Sequence, residues 1–403
     1  NGKYGIEQYL DEKLRGKAGE LRAITDAQGV PLVANKDNVL KEPANGERVT
    51  LTIDVSMQRR IEDMLKTHLA EVKSSAGSVV VMNPKNGEVK ALANFPTYNP
   101  SEFYKVEDAR LFTNSVVSEP LEVGSVMKTL TVAAGMDSGA ISQNTSYYDP
   151  GFYKIGDATV KNVEEDGGAA TRTTSDILRY SLNTGATYVL MQMGGGKINE
   201  KGREAWHRYL VDHYMFGKKT GIEQGYEAEG SVPDPKEGFG LDIQYANTTF
   251  GQGIMITPIQ MLSAFSATVN GGTYYKPHVL KEKDTANSVV AKDIIKPELS
   301  AVLRGMHENS VAKNYTFLRR DGYRIGGKTG TAEITKPGGG YYDDRFNGTF
   351  VGYVGGDQPE YVIMVTIIEP KISGYAGRAA AAPMFAKVVD MLIGNYAVNK
   401  VSN

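Results

Sequence analysis

The sequence predicts an α+β protein: one antiparallel sheet of about five strands, flanked by helices and joined to an all-helical subdomain. Three observations predict it. Strand-like segments sit in two groups far apart in the chain, around 78–93 and from 323 to 368. The stretch between them, from about 101 to 270, carries mostly helical periodicity. Near the end, Pro383 opens one last helix, Met384 to Ile393. Strands at both ends of a helical insert imply a sheet whose halves meet in space, with a cleft where insert and sheet join.

Each element has a local reason. Residues 1–50 read as a helix followed by a small β element around Leu21–Thr25 and Val30–Val33, too little to fold alone. Leu51-Thr52-Ile53 reads as a short strand. Asp54 or Ser56 can cap a helix running to about Val72, with Met57, Ile61, Met64, Leu65, Leu69 and Val72 on one face. Ser78–Met82 and Glu88–Ala93 flank a turn ending in Asn86-Gly87, a hairpin signal. Gly194–Gly196 is expected to end a helix, and Gly338–Gly340 to form a loop tip. Tyr323–Ile325, Thr349–Val354 and Tyr361–Ile368 supply the remaining strands. The expected organisation is 1–50, 51–75 as connecting strand and helix, and 76–403 as the main domain.

Composition excludes several classes. The 403 residues are 41% hydrophobic and 23% charged, so a sizeable core can form. Net charge is -2, and no basic tract or phosphate-cradling loop points to nucleic acid. Cysteine is absent, which removes disulfides, Cys-zinc sites and a cysteine nucleophile. The five histidines (His68, His207, His213, His278, His307) form no metal-ligand spacing, so no metal or cofactor is expected. No segment is apolar for the roughly 18 residues of a membrane span. The chain starts at Asn1 in a helix-like pattern and reads as a piece of a longer protein.

Chemistry is concentrated in three short segments. Gly124-Ser125-Val126-Met127-Lys128 opens an apolar helix. Ser125 and Lys128, three apart, share a face. Ser125 lies at the positive end of the helix dipole, whose N–H groups can stabilise an oxyanion. Burial of Lys128 favours its neutral amine, which can accept the serine proton. Ser181-Leu182-Asn183 falls in a connection between two helices, where a hydroxyl and an amide can point into one cleft. Gly326-Gly327-Lys328-Thr329-Gly330-Thr331 ends an apolar strand. Its glycines allow a substrate to lie along the strand edge, Lys328 supplies positive charge, and the Thr329 and Thr331 hydroxyls can hold a carboxylate. The Thr331 N–H is a second candidate oxyanion donor. Half a phosphate loop is the competing reading of G-K-T-G, but the Gly four residues earlier is missing and no helix follows.

The order S-x-x-K, S-x-N, K-T-G is that of class A β-lactamases and penicillin-binding proteins. From about Gly77 to its end the chain resembles the class B penicillin-binding proteins, the monofunctional cell-wall transpeptidases. Gly251-Gln252-Gly253, Asn270-Gly271-Gly272, Tyr275-Lys276-Pro277, Phe350–Tyr353 and Ala381–Phe385 carry the resemblance further. Val123 and Leu182 depart from the family's usual proline and serine, and neither departure removes a functional side chain.

The resemblance implies a penicillin-binding or serine β-lactamase-like fold, with residues 1–50 the remnant of a non-catalytic pedestal. It implies Ser125 as nucleophile toward the D-Ala-D-Ala carbonyl of a peptidoglycan stem peptide, and Lys128 as general base. Ser181 is implied as proton relay, with Asn183 holding substrate or Lys128. Lys328 is implied to tune that network. Thr329, Gly330 and Thr331 would bind substrate, and the N–H groups of Ser125 and Thr331 would form the oxyanion hole. It further implies covalent inhibition by β-lactams and an extracytoplasmic enzyme on a single N-terminal membrane helix. The implied partners are a glycan polymerase and division proteins, a septal role being favoured over elongation. Two other readings share the motifs: a D,D-carboxypeptidase or β-lactamase, with Glu200 or Glu204 as a candidate water-activating base, and a non-catalytic β-lactam sensor or scaffold.

Overall fold

The two groups of strands join into one five-stranded antiparallel sheet. Ala76–Met82 (β1) and Val89–Phe95 (β2) form the early hairpin. Arg324–Thr335 (β3), Tyr341–Gly355 (β4) and Pro359–Ile368 (β5) form the late meander. The order across the sheet is β3-β4-β5-β1-β2, so the groups meet along β5 and β1, from Val362 opposite Met82 to Ile368 opposite Ala76. This computed structural model describes residues 2–402 apart from 23, 24, 26, 29, 31–38, 163–167, 282–284 and 337.

Side chains alternate across a strand, so each central strand serves two cores. Val79, Val81, Phe350, Ile363 and Val365 pack toward Val55–Glu71 (α1) and Ala382–Asn395 (α7). Val80, Met82, Val351, Tyr353 and Met364 pack toward the helical subdomain. Burial on both faces explains why these strands read as unbroken apolar runs rather than alternating ones. Asp54 caps α1, its carboxylate accepting from the Met57 N–H at 2.8 Å. Leu51–Ile53 does not form the expected strand. Leu51 makes only an isolated bridge to Leu280, because the chain turns into α1 within three residues.

The helical subdomain is built on Met127–Asp137 (α2), Thr174–Arg179 (α3), Asn183–Met193 (α4), Pro258–Val269 (α5) and Pro297–Asn314 (α6). Every residue of α2 except Asp137 is buried, as is every residue of α5, so neither shows an amphipathic stripe. The subdomain is not all-helical, a correction to the sequence reading. Ser146–Asp149 pairs with Ala170–Thr173, and Phe152–Ile155 with Ala158–Lys161. Four-residue strands are too short to register as a period-2 pattern. Buried Asp149 and Asn162 both hydrogen-bond the Thr184 hydroxyl, at 2.6 and 2.9 Å, and so tie these strands to the first turn of α4.

At the N-terminal end, Gly5–Tyr9 and Asp11–Leu14 are helical, and Glu20–Arg22 pairs with Val39–Lys41. Ala23, Ile24 and Pro31–Val33 of the expected β element lie outside the described residues.

Candidate active site

Ser125 sits in a single tight turn, Gly124–Val126, that runs directly into α2. Gly124 has φ +64, and a Cβ there would stand 2.8 Å from the Thr331 carbonyl oxygen of β3. Glycine is therefore required twice over, for the left-handed backbone and for the close crossing of two chain segments. The Gly124 N–H donates to the Gly251 carbonyl at 3.1 Å, so the Gly251-Gln252-Gly253 segment backs the turn.

Lys128 is fully buried one turn further along. Its Nζ lies 2.8 Å from Ser125 Oγ, 2.7 Å from Asn183 Oδ1, 2.5 Å from the Ser181 carbonyl oxygen and 3.2 Å from Ser181 Oγ. The Phe250 ring centroid is 6.0 Å away. Two of these oxygens, the carbonyl and the amide oxygen, can only accept. The two hydroxyls can donate or accept. An amine that gives its N–H groups to the two obligate acceptors keeps its lone pair for the Ser125 hydroxyl. This is the arrangement by which a lysine takes a serine proton.

Ser181 and Asn183 are placed by the bend between α3 and α4. Ser181 has φ +58, a strained value for a residue with a Cβ, and the fully buried Leu182 anchors the bend. The strain turns the Ser181 carbonyl and hydroxyl toward the same amine. Asn183 is held from its other side, its Nδ2 donating to the Lys161 carbonyl at 3.1 Å.

The third segment approaches on β3. Lys328, 3% exposed, donates to Ser181 Oγ at 2.9 Å and to the Thr329 carbonyl at 3.0 Å. The Ser181 hydroxyl thus lies between two lysines. Thr329 Oγ1 is 2.9 Å from the Tyr315 hydroxyl, and Thr331 Oγ1 accepts from the Gly377 N–H at 3.0 Å. Gly330 has no room for a side chain. A Cβ would lie 2.3 Å from Thr349 Oγ1 and 2.5 Å from the Val123 carbonyl oxygen. Lys328–Thr331 lies within a twelve-residue strand on the sheet edge, rather than at a strand's end.

Five side chains singled out from the sequence, Ser125, Lys128, Ser181, Asn183 and Lys328, thus form one hydrogen-bonded chain. Thr329, Gly330 and Thr331 lie on the adjoining strand. Glu200 and Glu204 do not join them: Glu200 is exposed, Glu204 is half-buried, and both ion-pair with Lys236, at 3.6 and 2.6 Å. Sequence reasoning gave no place at the site to four of its neighbours, Tyr315, Phe250, His307 and Glu122. Tyr315 and Phe250 carry no motif, and Phe250 was detectable only as the neighbour of Gly251.

His307 lies fully buried behind β3, its Nδ1 3.3 Å from the Gly327 carbonyl. Burial, aided by the charge of Lys328 and opposed by that hydrogen bond, pushes its pKa down to about 4. Glu122, three residues before Ser125, accepts from the Gly253 N–H at 2.8 Å and the Tyr341 hydroxyl at 3.0 Å. Burial raises its carboxyl above the usual range against those two bonds.

Comparison with known proteins places the chain in a family. The penicillin binding protein transpeptidase domain matches residues 77–390, and the chain belongs to that family. It is 31% identical over 401 residues to the stage V sporulation protein D of Bacillus subtilis, covering 96% of this chain and 60% of that protein. It is 28% identical over 418 residues to the penicillin-binding protein PbpB of Mycolicibacterium smegmatis, covering 99% and 62% respectively. The chain therefore spans about three fifths of the length of these relatives. Among solved structures, penicillin binding protein 3 of Mycobacterium tuberculosis, complexed with aztreonam, superposes with a TM-score of 0.83 at 25% identity. That match covers 100% of this chain and 87% of that one.

Proposed function

We propose that the chain is the catalytic part of a class B penicillin-binding protein, a serine D,D-transpeptidase that cross-links peptidoglycan. The observation that carries this reading is the position of the buried Lys128 amine, 2.8 Å from Ser125 Oγ and within 3.2 Å of both Ser181 oxygens and Asn183 Oδ1. Ser125 Oγ attacks the carbonyl of the penultimate D-Ala as Lys128 accepts its proton. The oxyanion forms between the Ser125 and Thr331 N–H groups. Ser181 delivers a proton to the departing D-Ala amine, and Lys328 holds the Ser181 hydroxyl and the local charge in register. Asn183 fixes Lys128 and the substrate backbone. Thr329 and Thr331 receive the terminal carboxylate across Gly330. An amine from a neighbouring stem then displaces Ser125 from the ester.

A β-lactam mimics the donor and leaves a stable ester on Ser125. Residues 1–50 are read as the end of a pedestal, 51–75 as its connection, and 76–403 as the transpeptidase domain. No helix among the described residues is long and apolar enough to cross a membrane. An extracytoplasmic setting with a membrane anchor is part of the same reading. A glycan polymerase is the expected partner, and septal synthesis the expected setting.

Intact-mass analysis after incubation with benzylpenicillin tests the reading. A long-lived adduct on the parent, absent from Ser125→Ala, is expected. Rapid release of hydrolysed drug would sink the transpeptidase reading, and an undiminished adduct on Ser125→Ala would sink the nucleophile.

A further inference from the structure

A second cavity, of about 450 Å³, lies beside the sheet and does not include Ser125. Its floor follows from strand register. Thr349 on β4 pairs with Thr366 on β5, Thr366 with Ser78 on β1, and Ser78 with Asn94 on β2. Directly opposed residues share a face, so four polar side chains cross the sheet in one row. Thr349, at one end of the row, donates to the Val123 carbonyl at 2.9 Å, two residues before Ser125. Thr366, Ser78 and Asn94 line the cavity. Thr366 is 3% exposed, and its hydroxyl has no hydrogen-bond partner among the described residues. A buried hydroxyl left unpaired is costly, which points to a ligand that completes it.

The walls indicate the ligand's chemistry. Ser75, Thr113 and Ser115 add hydroxyls, and Phe95, Leu111 and Pro120 add apolar surface. The charges are few: Asp108 and Arg110 pair with each other at 2.8 Å, and Glu119 is exposed. Of the floor strands, β5 and β1 are paired on both sides, and β2 is the outer strand of the sheet, where the Gln58 side chain already takes the Leu92 N–H and carbonyl at 2.7 and 3.2 Å and so competes with an added peptide strand. Neutral hydroxyl and amide groups beside apolar walls suit an uncharged polyol with apolar ring faces. The volume falls within the range of roughly 300–1,000 Å³ of small-ligand sites.

We propose that this cavity is a subsite for an N-acetylated hexosamine of the glycan that carries the donor stem peptide. It rests on the reading of peptidoglycan as substrate. The wall at Pro120 and Leu121 leads within a few residues to Ser125, so glycan and stem peptide engage one continuous stretch of chain.

The test is titration of the chain with a soluble β-1,4-linked N-acetylhexosamine disaccharide, followed by saturation-transfer NMR. The same samples are scored for the benzylpenicillin adduct. Saturable binding is expected, weakened about fivefold or more by Thr366→Val through loss of one hydrogen bond, with adduct formation unchanged. Ser115→Ala provides the same comparison at the wall should Thr366→Val not fold. No saturable binding to a parent that forms the adduct overturns the subsite and leaves the transpeptidase reading intact. So does binding that neither variant alters. Equal affinity for a non-acetylated β-1,4 disaccharide overturns the amino-sugar assignment. A parent that forms no adduct overturns the functional reading instead.

Discussion

Lys128 and Ser181 touch at two points: the buried amine lies 2.5 Å from the serine's carbonyl oxygen and 3.2 Å from its hydroxyl. A residue in an extended or right-handed conformation does not readily direct both groups to one partner. Ser181 does so at φ +58. The same hydroxyl receives Lys328 at 2.9 Å, which makes Ser181 the link between the nucleophile's helix and the sheet edge.

Ser181→Ala and Ser181→Gly should therefore part company. Both lose the hydroxyl and should acylate more slowly with a fluorescent penicillin. Only glycine relieves the left-handed backbone, so Ser181→Gly should be the more stable of the two by about 1 kcal/mol in urea melts. Equal stability would remove the strain from this account.

Lys128→Met keeps the length of the side chain and removes the base. The rate of acylation should fall by about 10²–10⁴-fold, the usual contribution of a positioned acid or base. Circular dichroism should show an unchanged fold. Parent-like acylation would take the proton acceptor away from Lys128.

Gly330→Ala tests the close crossing of β3 and the nucleophile's segment. Its Cβ would meet Thr349 Oγ1 at 2.3 Å and the Val123 carbonyl at 2.5 Å, so strand and turn must separate. The expected cost is about 1–3 kcal/mol in stability. Acylation should slow by up to about 10²-fold, because a displaced turn moves Ser125 from its reactive position. A time course of penicillin labelling reads the second effect.

His307 predicts a pH dependence of stability. Buried in the folded chain, it stays neutral down to about 4, whereas its ordinary value is 6.5. The unfolded chain binds the proton first, so stability from this group is complete above pH 6.5 and declines as pH falls toward 4. The full decline approaches about 3 kcal/mol. Urea midpoints measured between pH 7 and 4 should show it, and His307→Gln should flatten this part of the profile. An unchanged slope in that variant would assign the acid sensitivity to other groups.

Much of the fold was legible because its signals are local. Apolar runs mark β1, β4 and β5, the capping aspartate at 54 starts α1, and Pro383 lies at the head of α7. The short strands between 146 and 173 escaped, since four residues give little periodicity and their stability comes from the Asp149–Asn162–Thr184 cluster. Leu51–Ile53 looked like a strand by composition alone, but only one of its residues finds a bridging partner, at Leu280.

The site divides in the same way. The sequence by itself determined which groups are available: a serine one helical turn from a lysine, a hydroxyl and an amide two residues apart, and a lysine on a glycine-flanked strand. Spacing within one element is set by backbone geometry, so Ser125 and Lys128 had to share a face. Only the tertiary structure decided that Ser181, 53 residues from Lys128 and 147 from Lys328, would bring its hydroxyl between both amines. That meeting depends on packing and on a left-handed bend paid for by the buried Leu182. Tyr315 on Thr329, and His307 behind Gly327, likewise arise from contacts between elements, which no local pattern encodes.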